Sequence, residues 1–422
     1  MNLTKNGQAL EVIVIDTNRI IFHVDVNSAF LSWESVNRLV IDPNAVDLRN
    51  IDAVIGGDSQ SRHGIVLAKS TSAKRYGIVT GEPLSHSKTK CPDLTIVPPN
   101  FEVYNRYSQK LMNLLSEYTP IINQFSIDEA FLDMTTTCHL FGTPIEAANK
   151  LRERIAYELG FTVNIGISSN KLLAKMASDF QKPNRCHTLF LEEVPTKMWP
   201  LPVGELFFVG PSALKRFQML GIRTIYDLAH SNLTMLKHQL GNKYAELIYN
   251  YANGIDDSNI EPEEPKNRGC GNSITLAQDV TDTEVALQVL LALSETVAAR
   301  LRSSNSNCSC ITVEIKYADF QTKSHQSTLA DVTNSTNRIY ETAKQLFLEF
   351  WNHTPIRLLG IRTSKLEENN YQQISLFTTQ KDEKLNKLDC AIDNIRTKFG
   401  TDAIKRASFL KEDSASKHHL LP

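Results

Sequence analysis

The sequence predicts an α+β protein built as several domains, and three observations carry that prediction. Strand-like and helix-like stretches alternate from Ile20 to about Pro200, and a compact helical segment follows over Pro202–Asp257. The C-terminal part then runs β-α-β-β-α-β, the ferredoxin-like order of elements. A chain of 422 residues has room for roughly three or four domains of about 100–200 residues each. Its 41% hydrophobic and 22% charged content is that of an ordinary globular protein.

In the first region, Ile20–Val26, Ser126–Met134 and Thr162–Ser168 read as strands, and Tyr104–Tyr118, Pro144–Leu159 and Asn170–Phe180 read as helices from their apolar spacing. Asp52–Pro83 interrupts the alternation with Gly56, Gly57, Gly64, Gly77 and Gly81, consistent with a small inserted lobe. Ser258–Lys266 is polar, carries Pro262 and Pro265, and reads as a linker. After it come a strand (Asn272–Ala277), a helix (Thr281–Ser303), two strands (Ser309–Ala318 and Gln326–Val332), a helix (Ser335–Trp351) and a strand (Ile356–Lys365). A polar tail begins at Glu367–Gln373.

The net charge of −2 gives no global signature of nucleic-acid binding, so any grip on a polyanion has to come from segregated charge. Between Lys266 and Lys365, eleven Lys/Arg are balanced by nine Asp/Glu, which excludes a uniformly basic domain there. The seven cysteines are scattered and odd in number, a pattern of reduced thiols rather than of a zinc site. No apolar run approaches the roughly 20 residues of a membrane span, so a cytoplasmic protein with no membrane anchor is expected.

Chemistry concentrates at two apolar runs. Asp128 and Glu129 sit inside Ser126–Asp133, and Asp25 sits inside Ile20–Val26. Ionised side chains are costly to bury without compensation, and a bound cation compensates them most directly. Three such carboxylates suggest a hard divalent metal, and Mg²⁺ held this way usually shares its shell with substrate phosphates. On a regular strand Asp128 and Glu129 point to opposite faces, so they converge only if the backbone turns there. One buried carboxylate and one solvated carboxylate is the alternative.

Asn27 and Ser28 are good N-cap types, which puts Asp25 where a strand meets a helix N-terminus, a place suited to phosphate. Phe30 lies one turn in, either facing that entrance or packing as a core aromatic. Lys69–Gly77 reads as a short basic helix ended by Gly77. Lys171, near another helix start, is poorly placed for the helix dipole unless an anion faces it. Val209-Gly210-Pro211-Ser212 with Leu220-Gly221-Ile222 fits two short helices joined by a Gly turn, a unit that can offer backbone N–H groups to DNA phosphate.

Taken together, SIDEAFLD, HVDVNSAF, GISSNKLLAKMASDFQKPN and VGPSALKRFQMLGIRTIYDLA resemble the signatures of the Y-family translesion DNA polymerases, in family order and over roughly Ile20 to Lys365. The DVN form and KSTSAKRYG resemble the UmuC-like bacterial branch, with the DinB type close behind. The resemblance implies a ferredoxin-like palm in two parts (1–50 and 91–200), small fingers (51–90) and a helix–hairpin–helix thumb (201–257). A linker (258–267), a ferredoxin-like little finger (268–366) and a tail (367–422) would follow.

It further implies an error-prone DNA polymerase of the SOS response, acting on primer-template DNA and dNTP. Asp25, Asp128, Glu129 and the Val26 carbonyl would hold two Mg²⁺ ions. Phe30 would be the steric gate against ribonucleotides, and Lys74 and Lys171 would bind the triphosphate. Thr71 stands where many members carry a phosphate-contacting Tyr, and Ala29 replaces the first of the usual aromatic pair. Gln373-Ile374-Ser375-Leu376-Phe377 resembles the pentapeptide that docks bacterial polymerases on the DNA sliding clamp. A nucleotidyl cyclase with a palm-like sheet, and a catalytically silent clamp- or DNA-binding subunit, are the rival readings.

Overall fold

The computed structural model describes residues 19–57, 64–260, 268–368 and 380–406. It divides into two compact units, the first formed by Met1–Ser59 and Gly64–Glu263, the second by Glu264–Pro422 together with Gln60–His63. Most of the expected linker, and the pentapeptide Gln373–Phe377, lie outside the described residues.

The first unit opens with β1 (Ile21–Val26) and α1 (Ala29–Ile41). A small lobe follows, made of β2 (Ala53–Gly56), β3 (Val66–Lys69), α2 (Thr71–Lys74), α3 (Leu84–Lys90) and β4 (Thr95–Val97). The chain returns through α4 (Phe101–Leu115), β5 (Ile122–Gln124), β6 (Glu129–Asp133), α5 (Pro144–Leu159), β7 (Val163–Ser168), α6 (Lys171–Asp179) and β8 (Cys186–Thr188). It ends in α7 (Pro211–Met219), α8 (Ile225–Ala229), α9 (Leu233–Leu240) and α10 (Asn242–Ala252).

The main sheet has the order β5-β6-β1-β7-β8. Its β5, β6, β1 and β7 form the interleaved antiparallel arrangement of a ferredoxin-like fold, with β8 added in parallel at the edge. β1 is buried along its whole length, because both neighbours pair with it and both faces are covered. Phe22, Val24 and Val26 enter a core shared with α1, α4 and α5, while Ile21 packs on the other face with Phe131 and Ala174 of α6. α5 begins where the sequence asks it to: Thr143 and Glu146 form a capping box around Pro144, and Gly160 stops the helix at a φ of +77°.

β2 and β3 with β4 make a separate three-stranded sheet with its own small core around Val54, Val66, Ile78 and Leu84. The helical segment packs Phe217, Ile225, Leu236 and Ile248 against Leu172, Leu173 and Met176 of α6. There α7 and α8 are joined through Gly221 at a φ of +75°, the Gly turn read from the sequence.

The second unit contains β9 (Gly269–Val280), α11 (Thr283–Ser303), β10 (Ser306–Tyr317), β11 (Thr322–Thr333), α12 (Thr336–Phe350), β12 (Ile356–Glu368) and α13 (Gln380–Phe399). The element order is the expected β-α-β-β-α-β, and every neighbouring pair in the sheet β11-β10-β12-β9 is antiparallel. Its central strands are the second and fourth of the unit, where the main sheet of the first unit has the first and third. α13 adds ionic contacts on this unit: Arg302 reaches Asp389 and Asp393, and Glu295 reaches Arg396 and Arg406.

Two local expectations change. The strand expected from Ser126 starts only at Glu129, because the N–H groups of Phe125 and Ser126 both bond to the Glu129 carbonyl and turn the chain tightly. The basic helix expected over Lys69–Gly77 is a single turn, since Lys69 still belongs to β3.

Gly166 of β7 sets the height of α6 above the sheet, since a Cβ there would stand 1.8 Å from the Ala174 carbonyl oxygen and 2.5 Å from the Ser178 nitrogen. Both obstacles are backbone, so the helix itself must move. Gly166→Ala should therefore lower stability by at least about 1–3 kcal/mol, the usual cost of overpacking, read as a fall in the urea midpoint at unchanged slope.

Candidate active site

The C-terminal end of β1 delivers Asp25 to the mouth of a cleft of about 660 Å³, and β6 starts opposite it, with Asp25 and Glu129 as register partners. The bend before Glu129 resolves the alternation problem. Asp128 lies in the bend rather than on the strand, so it lines the cleft beside Glu129. Its carboxylate accepts from the Ser126 hydroxyl at 2.6 Å, and its backbone carbonyl accepts from the Val26 N–H at 3.1 Å. Asp25, Val26, Asp128 and Glu129 thus meet in one cleft with Phe30, Thr71 and Lys74.

Asn27 and Ser28 do not cap α1 as expected. Ser28 takes a left-handed backbone (φ 49°) and its side chain makes no cap bond, so the first turn of α1 has no side-chain cap. The Asn27 amide is used elsewhere: its oxygen accepts from the Thr162 hydroxyl and the Asn184 N–H, and its nitrogen donates to Asn164. Asn164, wholly buried on β7, donates in turn to the carbonyls of Ser178 and Gln181. This pair of amides ties the β1–α1 turn to the loop after α6.

That loop carries Lys182, a residue the motif reading passed over. Lys182 lines the cleft and pairs with Asp25, and it also meets Asp179 at 2.8 Å. Burial pushes the Asp25 carboxyl up to about 6, with Lys182 opposing the rise. Burial would lower Lys182, but Asp25 and Asp179 outweigh it and hold the ammonium at about 12. Burial would also raise Glu129; hydrogen bonding from His23 and Lys175 outweighs it and holds the carboxyl down at about 2. His23 Nε2 lies 3.5 Å from Glu129, at the outer limit of that contact, and burial lowers its pKa.

Lys171 is not brought to the cleft. Its ammonium stands 5.0 Å over the Phe131 ring and donates to the Asn259 carbonyl. Lys175, four residues on, reaches Glu129 at 2.8 Å. The reason is register: one helical turn of α6 advances about as far as two residues of β6, so Lys175 falls over Glu129 and Lys171 over Phe131, a turn away. Both lysines belong to the motif GISSNKLLAKMASDFQKPN, and sequence alone does not say which of them faces the acids.

The opposite wall is cationic. Arg49, Lys69 and Lys74 line it with Ser70 and Thr71. Arg49 is locked by paired bonds to Asp47 at 2.9 and 2.8 Å and by the Gly160 carbonyl, and that guanidinium holds Asp47 down at about 2. Phe30 forms part of the floor, stacked on Tyr104 with centroids 4.7 Å apart and edge-on to Phe101.

An all-oxygen donor set of three carboxylates fits a hard divalent cation. The ammonium groups now on Asp25 and Glu129 mark two places where positive charge is required. Among the described residues no three acidic, His or Cys side chains form a group that could hold a metal ion, and Asp25 and Glu129 are each engaged by a lysine.

The chain is similar to known proteins along nearly its whole length. The profile of the impB/mucB/samB family matches residues 24–179, and the profile of that family's C-terminal domain matches 267–376. A profile described as the thumb domain of DNA polymerase iota matches 205–256. The chain is 45% identical over 396 residues to a DNA polymerase IV of Clostridium acetobutylicum, covering 94% of this chain and 99% of that protein. It is 36% identical over 401 residues to DNA polymerase IV 1 of Bacillus subtilis, covering 94% and 95%. Its fold resembles that of a Y-family DNA polymerase chimera, Dbh-Dpo4(243-245)-Dbh, with a TM-score of 0.71 at 24% identity, over 83% of this chain and 100% of the other.

Lys182→Met removes the cation opposing the rise of Asp25, so the Asp25 pKa should climb above its value of about 6. At pH 7 a larger fraction of Asp25 would then be protonated in metal-free protein. Titration of the carboxyl carbon by NMR reads this directly; an unchanged midpoint would mean that the pair contributes nothing.

Proposed function

The chain belongs to the impB/mucB/samB family of Y-family translesion DNA polymerases, on its DinB-like side rather than the UmuC-like side that the DVN form and KSTSAKRYG favour, and from that premise we propose that the cleft under Asp25, Asp128 and Glu129 is its site of nucleotidyl transfer. It is a DNA-directed DNA polymerase. The observation that carries the site reading is that three carboxylates line one cleft together with Arg49, Lys69 and Lys74.

In this reading the main sheet is the palm, the three-stranded lobe the fingers, the α7–α10 segment the thumb and the second unit the little finger. Two Mg²⁺ ions held by Asp25, Asp128, Glu129 and the Val26 carbonyl would activate the primer 3′-hydroxyl and neutralise the leaving pyrophosphate. The chain's own residues do the rest. Lys74 and Lys182, supported by Lys69 and Arg49, draw in and orient the dNTP triphosphate through charge-assisted bonds. Phe30, held against Tyr104, leaves no room for a ribose 2′-hydroxyl. Thr71 lines the cleft with a hydroxyl that can still donate to phosphate. Lys171 is left out of the triphosphate site.

The cleft is open to solvent, as a polymerase that accepts damaged templates requires, and error-prone synthesis follows from that tolerance. The cyclase reading is set aside by the polymerase relatives, which match along nearly the whole chain. No helix among the described residues is long and apolar enough to cross a membrane. In this reading the enzyme works in the cytoplasm, on the DNA it copies.

Purified Asp128→Asn or Glu129→Gln should lose primer extension by several orders of magnitude while binding primer-template within a few-fold of wild type. In the same assay, Phe30→Ala should raise ribonucleotide insertion sharply with a smaller effect on dNTP. Near-normal extension by Asp128→Asn would remove the proposed site.

The pentapeptide Gln373–Phe377 is proposed to tether the polymerase to the sliding clamp, raising its effective concentration at the primer end. Gln373, Leu376 and Phe377 replaced together by Ala should leave basal extension intact and abolish the gain in processivity that added clamp gives. Equal stimulation of both proteins would refute the assignment.

A further inference from the structure

Lys175 sits where α6, the turn before β6 and the helical segment meet. Its side chain is 11% exposed, and its ammonium donates to Glu129 Oε2 at 2.8 Å. Two aromatic rings complete its surroundings: Phe125 lies 5.6 Å and Phe207 5.3 Å from the ammonium, and the rings meet edge to face at 6.1 Å. Phe125 belongs to the tight turn that ends on the Glu129 carbonyl. Phe207 comes from the far side, just before α7. It packs against Phe208 at 4.4 Å, and the Phe208 carbonyl accepts from the Tyr244 hydroxyl of α10 at 2.9 Å. A desolvated ammonium over aromatic faces is held by cation–π attraction, so the cage fixes where the positive charge stands.

We propose that Lys175 is a positioning residue for Glu129, and that Phe207 couples the seating of the helical segment to that carboxylate. The inference rests on the reading of Glu129 as a metal ligand. In the metal-free protein the caged ammonium aims Oε2 and competes with an entering cation for it. Movement of the α7–α10 segment on gripping DNA displaces Phe207, opens the cage to water and weakens that competition, so Glu129 is released to a metal when DNA is in place. Lys175 touches neither substrate nor reacting atoms in this scheme; it acts through Glu129.

The test uses the full-length protein, Mn²⁺ binding followed by electron paramagnetic resonance, and single-turnover primer extension. Lys175→Met should bind Mn²⁺ severalfold more tightly, since a competing cation is gone. Its insertion rate should fall about tenfold, since Glu129 is no longer aimed, with little change in dNTP affinity. Phe207→Leu should also tighten Mn²⁺ binding, by a smaller factor, because the cage is then open to water without DNA. A residue that only packs the interior would lower rate and folded fraction together and leave Mn²⁺ affinity alone; that outcome for Lys175→Met, with folding checked by thermal melting, overturns the proposal. Wild-type Mn²⁺ affinity in Phe207→Leu overturns the coupling to the helical segment. Glu129→Gln separates the two layers: if it still extends primers, the assignment of the metal site fails rather than the role of Lys175.

Discussion

Everything around the cleft follows from the difficulty of keeping carboxylates ionised at the end of a fully buried strand. β1 carries no exposed residue, yet it must end in Asp25, and burial alone drives that group toward protonation. The fold answers by bringing cations to it. Lys182 arrives from the loop after α6 and Lys175 from α6 itself, so each of two carboxylates has an ammonium within salt-bridge reach. A pair of this kind contributes little net stability once desolvation is counted, but removing one partner leaves a buried charge exposed to its full cost. Such pairs are therefore better understood as keeping a charged site poised than as holding the fold together.

Positioning these cations demands a rigid frame, and buried amides provide it. Asn164 spans from the β1–α1 turn to the loop bearing Lys182, using both of its donors and its acceptor. Asn27, which looked from the sequence like a helix cap, is drawn into the same network and leaves the start of α1 without a side-chain cap. An uncapped helix start facing a cleft has N–H groups and a positive dipole end to offer an anion. Thus the feature that departs from the sequence rule is the one that suits the site to phosphate.

Much of this was legible in the sequence because it is local. Apolar runs and helical spacing found β1, β7, α5 and α6 to within a residue or two, the Gly221 turn gave the α7–α8 hairpin, and the acidic dipeptide marked the cleft. What escaped depends on relations between elements. The tight turn at Phe125–Glu129 shortens a strand that the residue types favour, and it is also what brings Asp128 round to the cleft. The choice among Lys171, Lys175 and Lys182 was hidden for a similar reason: all three lie in one motif, the register of α6 against β6 decides between the first two, and the Asn27–Asn164 network places the loop that carries the third. The central strands of the second unit likewise depend on pairing that no single segment encodes.

That register leads back to one residue without a side chain. Gly166 lets the backbone of α6 rest directly on β7, and Lys175 reaches Glu129 only from that height. Raising the helix by even an ångström or two would lengthen a 2.8 Å contact beyond hydrogen-bond range and draw Lys175 away from the rings of Phe125 and Phe207. The helix also carries the packing surface for α7–α10 through Leu172, Leu173 and Met176, so the same height governs how the helical segment seats. A close approach of backbone to backbone, invisible to any tally of charge or hydropathy, therefore links the stability of the sheet to the electrostatics of the cleft. With a net charge of only −2, the chain has no general attraction for a polyanion to rely on. Its grip on phosphate must come from this local segregation, with the acids of β1 and β6 lining one cleft with Arg49, Lys69 and Lys74.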